Sequence, residues 1–206
     1  MSFKISNRVT QIKPAATIMV AMKAIELQAQ GRDIISLGFG EPDFDTPEHI
    51  KQAAVEAIRQ GRTKYPPVDG TVELKKAIVR KFRVENQLEF DTAQIIVSTG
   101  AKQSLSNLLT SLLNPDDEVI LPAPYWVSYA DITLVAEGKP VIVNCGIEQG
   151  FKIAPAQLEA AITPKTKLFM INSPSNPTGA VYTLAELQAL GEVLKKHPHV
   201  LVATDD

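Results

Sequence analysis

Cysteine is nearly absent: Cys145 is the only one in 206 residues. That excludes an intrachain disulfide and a multi-cysteine metal site, and it fits a reducing compartment. Tryptophan is as scarce, with Trp126 alone, and aromatic residues make up 6% of the chain. There is no basic surplus, since 21 Lys and Arg face 23 Asp and Glu for a formal net charge of −2. Nucleic acid and anionic membrane surfaces are therefore not expected as partners. No apolar run reaches membrane-spanning length, and the opening MSFKISNRVTQIKP lacks the apolar stretch of a secretory signal, so a cytoplasmic protein is expected. His49, His197 and His199 show no metal-ligand spacing, and no metal site is expected.

What the chain does have is a foldable balance, 45% hydrophobic and 21% charged residues, close to the globular average. Apolar residues recur at helical spacing from about Ala15 to Gln30, and Gly31 follows, suited to the left-handed turn at a helix end. A short strand is expected at Ile34 to Leu37, running into the turn-rich Gly38 to Pro42. Thr46 is placed to cap the next helix, with Pro47 in its first turn and Gly61 past its end. Val72 to Asn86 reads as a further helix. Beyond it, short apolar runs alternate with helical stretches. Strands are expected at Ile95 to Ser98, Glu118 to Leu121, Val141 to Val143, Lys167 to Ile171 and Val200 to Ala203. Helices are expected at about Lys102 to Leu113, Trp126 to Ala136, Pro155 to Ile162 and Leu184 to Lys196, the last opened by a Thr183/Glu186 capping box. This alternation predicts an α/β fold, a mostly parallel sheet flanked by helices on both faces.

In such sheets ligands gather beyond the carboxyl ends of the strands. Three of the expected strands end in polar residues. Thr99-Gly-Ala-Lys102 passes from strand to helix through a glycine, which lets backbone N–H groups face a phosphate; an ordinary tight connection accounts for the same residues. It matches neither the GxxxxGK[ST] loop nor the GxGxxG turn, which counts against NTP hydrolysis and nicotinamide chemistry. Asn172 to Gly179 places two asparagines and two prolines after a strand. Either Ser173-Pro174 or Asn176-Pro177 is a candidate cis bond, the alternative being a surface loop that only stops the strand. Asp205 follows an apolar strand and either caps the next element or pairs with a cation. Trp126 either stacks on a planar ligand or fills core.

Taken in order, several segments resemble the fold-type I pyridoxal-phosphate enzymes, and within them the class I aminotransferases of the bacterial aspartate aminotransferase-like branch. They are Lys13 to Thr17, Gly40 to Pro47, Thr63-Lys-Tyr65 with Gly70, Ser98 to Gln103, Pro124 to Tyr129, Asn172 to Gly179, and Asp205. The resemblance implies that Gly100, Ala101 and Lys102 receive the phosphate of pyridoxal 5'-phosphate, and that Tyr65 reaches the phosphate held by a neighbouring subunit. It implies that Trp126 stacks on the pyridine ring, Asn176 bonds its phenolic oxygen, and Asp205 pairs with the protonated ring nitrogen. Substrate contacts are implied for Gly40 and for Trp126 and Asn176. Thr17 and Lys102 align with residues that recognise the distal acid of a dicarboxylic substrate.

The implied reaction is ping-pong transamination between an amino acid, with aspartate and glutamate favoured, and a 2-oxo acid. Other substrates of the same fold (prephenate, aromatic amino acids, alanine), a lyase, and a non-catalytic ligand-binding product are the competing readings. In the family the lysine that holds the cofactor lies downstream of the Asp205 motif, so it is expected beyond Asp206. No catalytic lysine is assigned here, and the 206 residues alone are expected to be inactive. Residues 1–45 are expected to form an N-terminal arm and part of a small domain, 46–206 an incomplete cofactor-binding domain, and the full-length protein a homodimer.

Overall fold

The computed structural model describes residues 4–12, 16–35, 40 and 42–206, with the backbone alone at Ala16 and Thr17. Two compact units are present, residues 14–104 and residues 1–13 with 105–206.

The unit 14–104 is helical. It holds α2 (Ala16–Ala29), α3 (Glu48–Arg59) and α4 (Val72–Lys81), after α1 (Asn7–Thr10) of the other unit. Gly31 and Gly61 close α2 and α3 at φ +80° and +72°, the left-handed turn expected of them. Thr71 caps α4 by accepting the Leu74 N–H at 3.4 Å, and a single π turn (Phe82–Asn86) extends it. Lys75 is buried and pairs with Asp69. The Asp69 carbonyl takes the Val97 N–H at 3.1 Å, and Gly70, at φ +105°, has room for no Cβ because one would lie 2.5 Å from Val97 Cγ2. The segment just after Tyr65 is thereby fastened to the stretch before Gly100.

The other unit contains the sheet. Strands β1 (Glu118–Ala123), β2 (Lys139–Asn144), β3 (Thr166–Asn172) and β4 (Leu201–Asp205) lie in the order β2-β1-β3-β4, all parallel. Helices α5 (Ala101–Leu112), α6 (Ser128–Val135), α7 (Pro155–Ala161) and α8 (Leu184–Leu194) alternate with them. Successive strand side chains point to opposite faces, and the core divides accordingly. Val119, Leu121, Leu168 and Met170 pack with Leu109 of α5 and Tyr129 of α6. Ile120, Phe169 and Ile171 pack with Leu158 of α7 and with Leu190 and Val193 of α8. Both faces are covered, as a parallel sheet requires. Cys145, just past β2, is 2% exposed; its Sγ donates to the Val143 carbonyl at 3.3 Å, and burial pushes the thiol pKa up.

Some expectations are corrected. Ile95 to Ser98 is not a strand: Ile95 is extended (φ −111°, ψ 128°), but among the described residues no neighbouring strand pairs with it, and its one cross-link is Val97 to Asp69. Ile34 and Ile35 are likewise outside any strand, while Ser36 and Leu37 lie outside the described residues. Pro47, not Thr46, occupies the cap position of α3. Trp126 precedes α6, which begins at Ser128, and the helix expected to Asn86 is α-helical only to Lys81. Both candidate cis bonds, Ser173-Pro174 and Asn176-Pro177, are cis, and so is Ala123-Pro124. The capping box is formed: Thr183 Oγ1 accepts the Glu186 N–H, and the Glu186 carboxylate accepts the Thr183 N–H at 2.7 Å.

Glu186 also accepts from Lys152 Nζ at 2.5 Å. The Lys152 bond, then those from Thr183, pull its pKa down to about 2. A depressed folded-state pKa means that the stabilisation is present above the unfolded value, about 4.3, and is lost as pH falls through about 2. An acid titration of stability should show this loss, and Glu186→Gln should flatten the curve in that window. Phe169, 1% exposed in the middle of the sheet, should cost about 3–5 kcal/mol on replacement by Ala, read by urea unfolding.

Candidate functional site

Because the four strands run the same way, the ends of β1, β3 and β4 lie along one edge of the sheet. At these ends lie Pro124 to Trp126 after β1, Ser173 to Gly179 after β3, and Asp205, the last residue of β4, with Asp206.

Asp205 is the centre of the arrangement. It is half-buried at the end of β4, and the Tyr129 hydroxyl donates a hydrogen bond to its Oδ2. Tyr129 is 3% exposed on α6, and Trp126 meets it edge to face at 5.4 Å between ring centres. Burial above all, then the bond to Asp205 and its negative charge, push the Tyr129 pKa up, so the phenol remains a donor.

Behind Asp205 stands Asn172, the last residue of β3, paired with it across the sheet. Its Nδ2 donates to the Asp205 backbone carbonyl. Its Oδ1 accepts the Asn176 N–H at 2.6 Å. The loop that follows is closed by Gly179 N–H to Ser175 carbonyl at 2.7 Å, by Ser175 N–H to Ala180 carbonyl at 2.9 Å, and by Tyr182 N–H to Ser173 Oγ at 3.1 Å. Gly179 takes φ +71°. A cavity of about 20 Å³ lies beneath, bordered by Tyr129, Asn172 and Ser175. It has room for about one water and none for a ring, so a planar ligand would sit on the edge itself.

Trp126, Asn176 and Asp205 are thus brought to one sheet edge. The remaining candidates belong to the other unit. Gly100 is exposed at φ +81°, with nothing near the position of a Cβ. Ala101 and Lys102 open α5, at the positive end of its dipole, and the Thr99 N–H is taken by Gln103 Oε1. Tyr65 is fully exposed. Gly40 is exposed with open space around it. Thr17 lies on α2 with its side chain outside the described residues, as do Lys13 to Ala15, Ser36 to Phe39 and Glu41. Tyr129 and Asn172 stand in the quoted motifs but were given no role from sequence, because their partners lie 76 and 33 residues away.

The donor set suits pyridoxal 5'-phosphate. A carboxylate at the strand end matches a protonated ring nitrogen, a tied-down asparagine an anionic oxygen, and an indole a flat ring. Among the described residues only Oδ2 of the Asp205 carboxylate is engaged, and the Asn176 side-chain amide makes no hydrogen bond.

The parallel α/β sheet with its flanking helices is the aspartate aminotransferase fold at half length. The sequence pattern of aminotransferases of class I and II matches residues 32–206, and the chain belongs to that family. An aspartate/prephenate aminotransferase from Nitrosomonas europaea is 61% identical over 98% of this chain and 51% of its own length. The crystal structure of the aspartate aminotransferase from Rhizobium meliloti matches with a TM-score of 0.96 at 49% identity, over 100% of this chain and 51% of that one. The Thermus thermophilus aspartate aminotransferase with maleate matches at 0.93 and 46%, over 98% and 53%. The chain spans about half the length of the curated relatives it matches. Among the described residues no helix is long and apolar enough to cross a membrane.

At about pH 11, where ordinary tyrosines ionise, Tyr129 should stay protonated. The ultraviolet difference between the parent and Tyr129→Phe should show no phenolate at that pH, and Asp205→Asn should lower the Tyr129 transition towards the ordinary value without reaching it, since burial persists.

Proposed function

We propose that this chain supplies the cofactor-binding half of a pyridoxal-phosphate aminotransferase that moves an amino group between aspartate or glutamate and a 2-oxo acid. The observation that carries the reading is the carboxylate of Asp205, fixed at the carboxyl edge of the sheet by the Tyr129 phenol beside Trp126. When bound, the cofactor supplies a protonated ring that accepts the electron pair released as the substrate Cα–H bond breaks.

Asp205 keeps the ring nitrogen protonated by placing a negative charge against it, and Tyr129 keeps that charge in place. Trp126 covers one ring face and excludes water from it. Asn176 donates to the phenolic oxygen. The opening of α5 at Ala101 and Lys102 receives the phosphate dianion, favoured by the positive end of the helix, while Gly100, its own N–H taken by the Ser98 carbonyl at 2.9 Å, leaves the approach clear of a side chain. The Gly40 N–H meets the substrate α-carboxylate, where the absence of a side chain lets the backbone approach. Thr17 and Lys102 would meet the distal acid. Full exposure of Tyr65 supports its facing a second subunit across a homodimer.

The dicarboxylic preference is supported by the relatives' names. The maleate held by the Thermus protein is a dicarboxylate, and prephenate, named for the Nitrosomonas protein, is a 2-oxo acid with a second carboxylate. Prephenate is therefore the second amino acceptor to test.

The deciding experiment extends the chain to the length of its relatives, loads it with pyridoxal 5'-phosphate and measures transamination of aspartate with 2-oxoglutarate and with prephenate. Turnover with either is expected. Asp205→Ala should lower kcat at least about a hundredfold, with a smaller loss for Asn176→Ala. No turnover with any amino donor, or an unaffected Asp205→Ala enzyme, would overturn the reading.

A further inference from the structure

Asn172 joins Asp205, at the end of β4, to Asn176, in the loop after β3, the two groups to which the family resemblance gives cofactor contacts, yet it is assigned nothing itself. Its side chain makes two bonds of opposite kind. The acceptor of the first is a backbone carbonyl, that of Asp205, so Asn172 must donate. The donor of the second is a backbone N–H, that of Asn176, so Asn172 must accept. This fixes the orientation of the amide, Nδ2 towards β4 and Oδ1 towards the loop. The carboxamide offers a donor and an acceptor on one plane at neutral pH; an ionised aspartate would turn two acceptors on two partners of which one is itself an acceptor.

Location strengthens the point. Asn172 and Asp205 are the last register partners of β3 and β4, so the amide reaches across a single strand spacing of about 4.8 Å. Asn176 lies four residues along the same chain, past the turn that Ser173 and Pro174 begin. Asp205 and Asn176 have no direct bond to each other among the described residues. Their common tie is one side chain.

We infer that Asn172 is a positioning residue whose single amide sets the separation between the Asp205 carboxylate and the Asn176 amide. Resting on the proposed cofactor reading, it deepens that reading: the ring's nitrogen and its oxygen stand at a fixed distance, and Asn172 makes the protein match it. Both ends of its side-chain amide are committed to backbone groups.

Two variants separate its two arms. Asn172→Ala removes both, whereas Asn172→Asp keeps the acceptor for Asn176 and loses the donor to Asp205. Both are made in the protein extended to its relatives' length, and two readouts are taken. The first is backbone amide exchange without cofactor. In Asn172→Ala, exchange at the Asn176 amide and across residues 201–205 should rise together by about tenfold or more. In Asn172→Asp, the rise should be confined to residues 201–205. The second is affinity for pyridoxamine 5'-phosphate, which carries the same ring and phosphate but needs no lysine. Both variants should weaken it by about tenfold at neutral pH. For Asn172→Asp, the loss should shrink as pH falls through the carboxyl range and the protonated acid regains a donor, a recovery the parent and Asn172→Ala do not show.

Unchanged exchange and affinity in both variants would overturn the inference, as would exchange that rises at one position only in Asn172→Ala. If the parent fails to bind pyridoxamine 5'-phosphate, the cofactor reading fails, while the exchange pattern still decides whether Asn172 ties the two segments.

Discussion

The pairing of β3 with β4 is the contact on which the sheet edge depends. Leu168 to Asn172 run beside Leu201 to Asp205 without a slip, and a displacement by a single residue would turn every side chain of β4 to the other face. With the register as it stands, the last two partners are an amide and a carboxylate. Burial holds that register: Phe169 and Ile171 lie in one core and Leu168 and Met170 in the other, so β3 is fixed from both sides. The polar edge is therefore positioned by apolar residues a few ångströms behind it.

Charge at this edge is handled by neutral donors. The Asp205 carboxylate is met by a phenol, and its backbone by an amide. A cation in the phenol's place would neutralise the carboxylate, and a positively charged ligand would find less to bind. Hydrogen bonds from neutral groups fix the carboxylate in space and leave its charge for a ligand. The contrast is with Glu186 and Asp69, each paired to a lysine that serves to join segments of chain.

Much of this was legible in the sequence where the signal is local. The Thr183/Glu186 box, the glycines after α2 and α3, and the alternation of apolar runs with helices each depend on residues within a few positions of one another. So do the Asn172 to Gly179 loop and the polar ends of the strands. Expectations failed where a partner had to be known. Ile95 to Ser98 has the composition of a strand, but a strand exists only beside another, and its neighbour in the described residues is the Asp69 carbonyl alone. Thr46 and Pro47 differ by one position at a helix start, within the range over which backbone geometry rather than residue type decides. Tyr129 and Asn172 carried no label because their roles are defined by Asp205, far along the chain and adjacent only after folding. The family motifs point to candidate residues, and the hydrogen bonds show that Tyr129 and Asn172 hold Asp205 and Asn176.

Cys145 has a practical consequence. The chain's sole thiol is sealed beside β2 and its ionisation is suppressed, so it is a poor target for maleimide or iodoacetamide reagents at neutral pH. A cysteine introduced at a solvent-facing position such as Ile147, 78% exposed, would be the one reactive handle on this chain. A fluorophore or spin label could then be attached at a single known point of this chain with the native sulfur left in place.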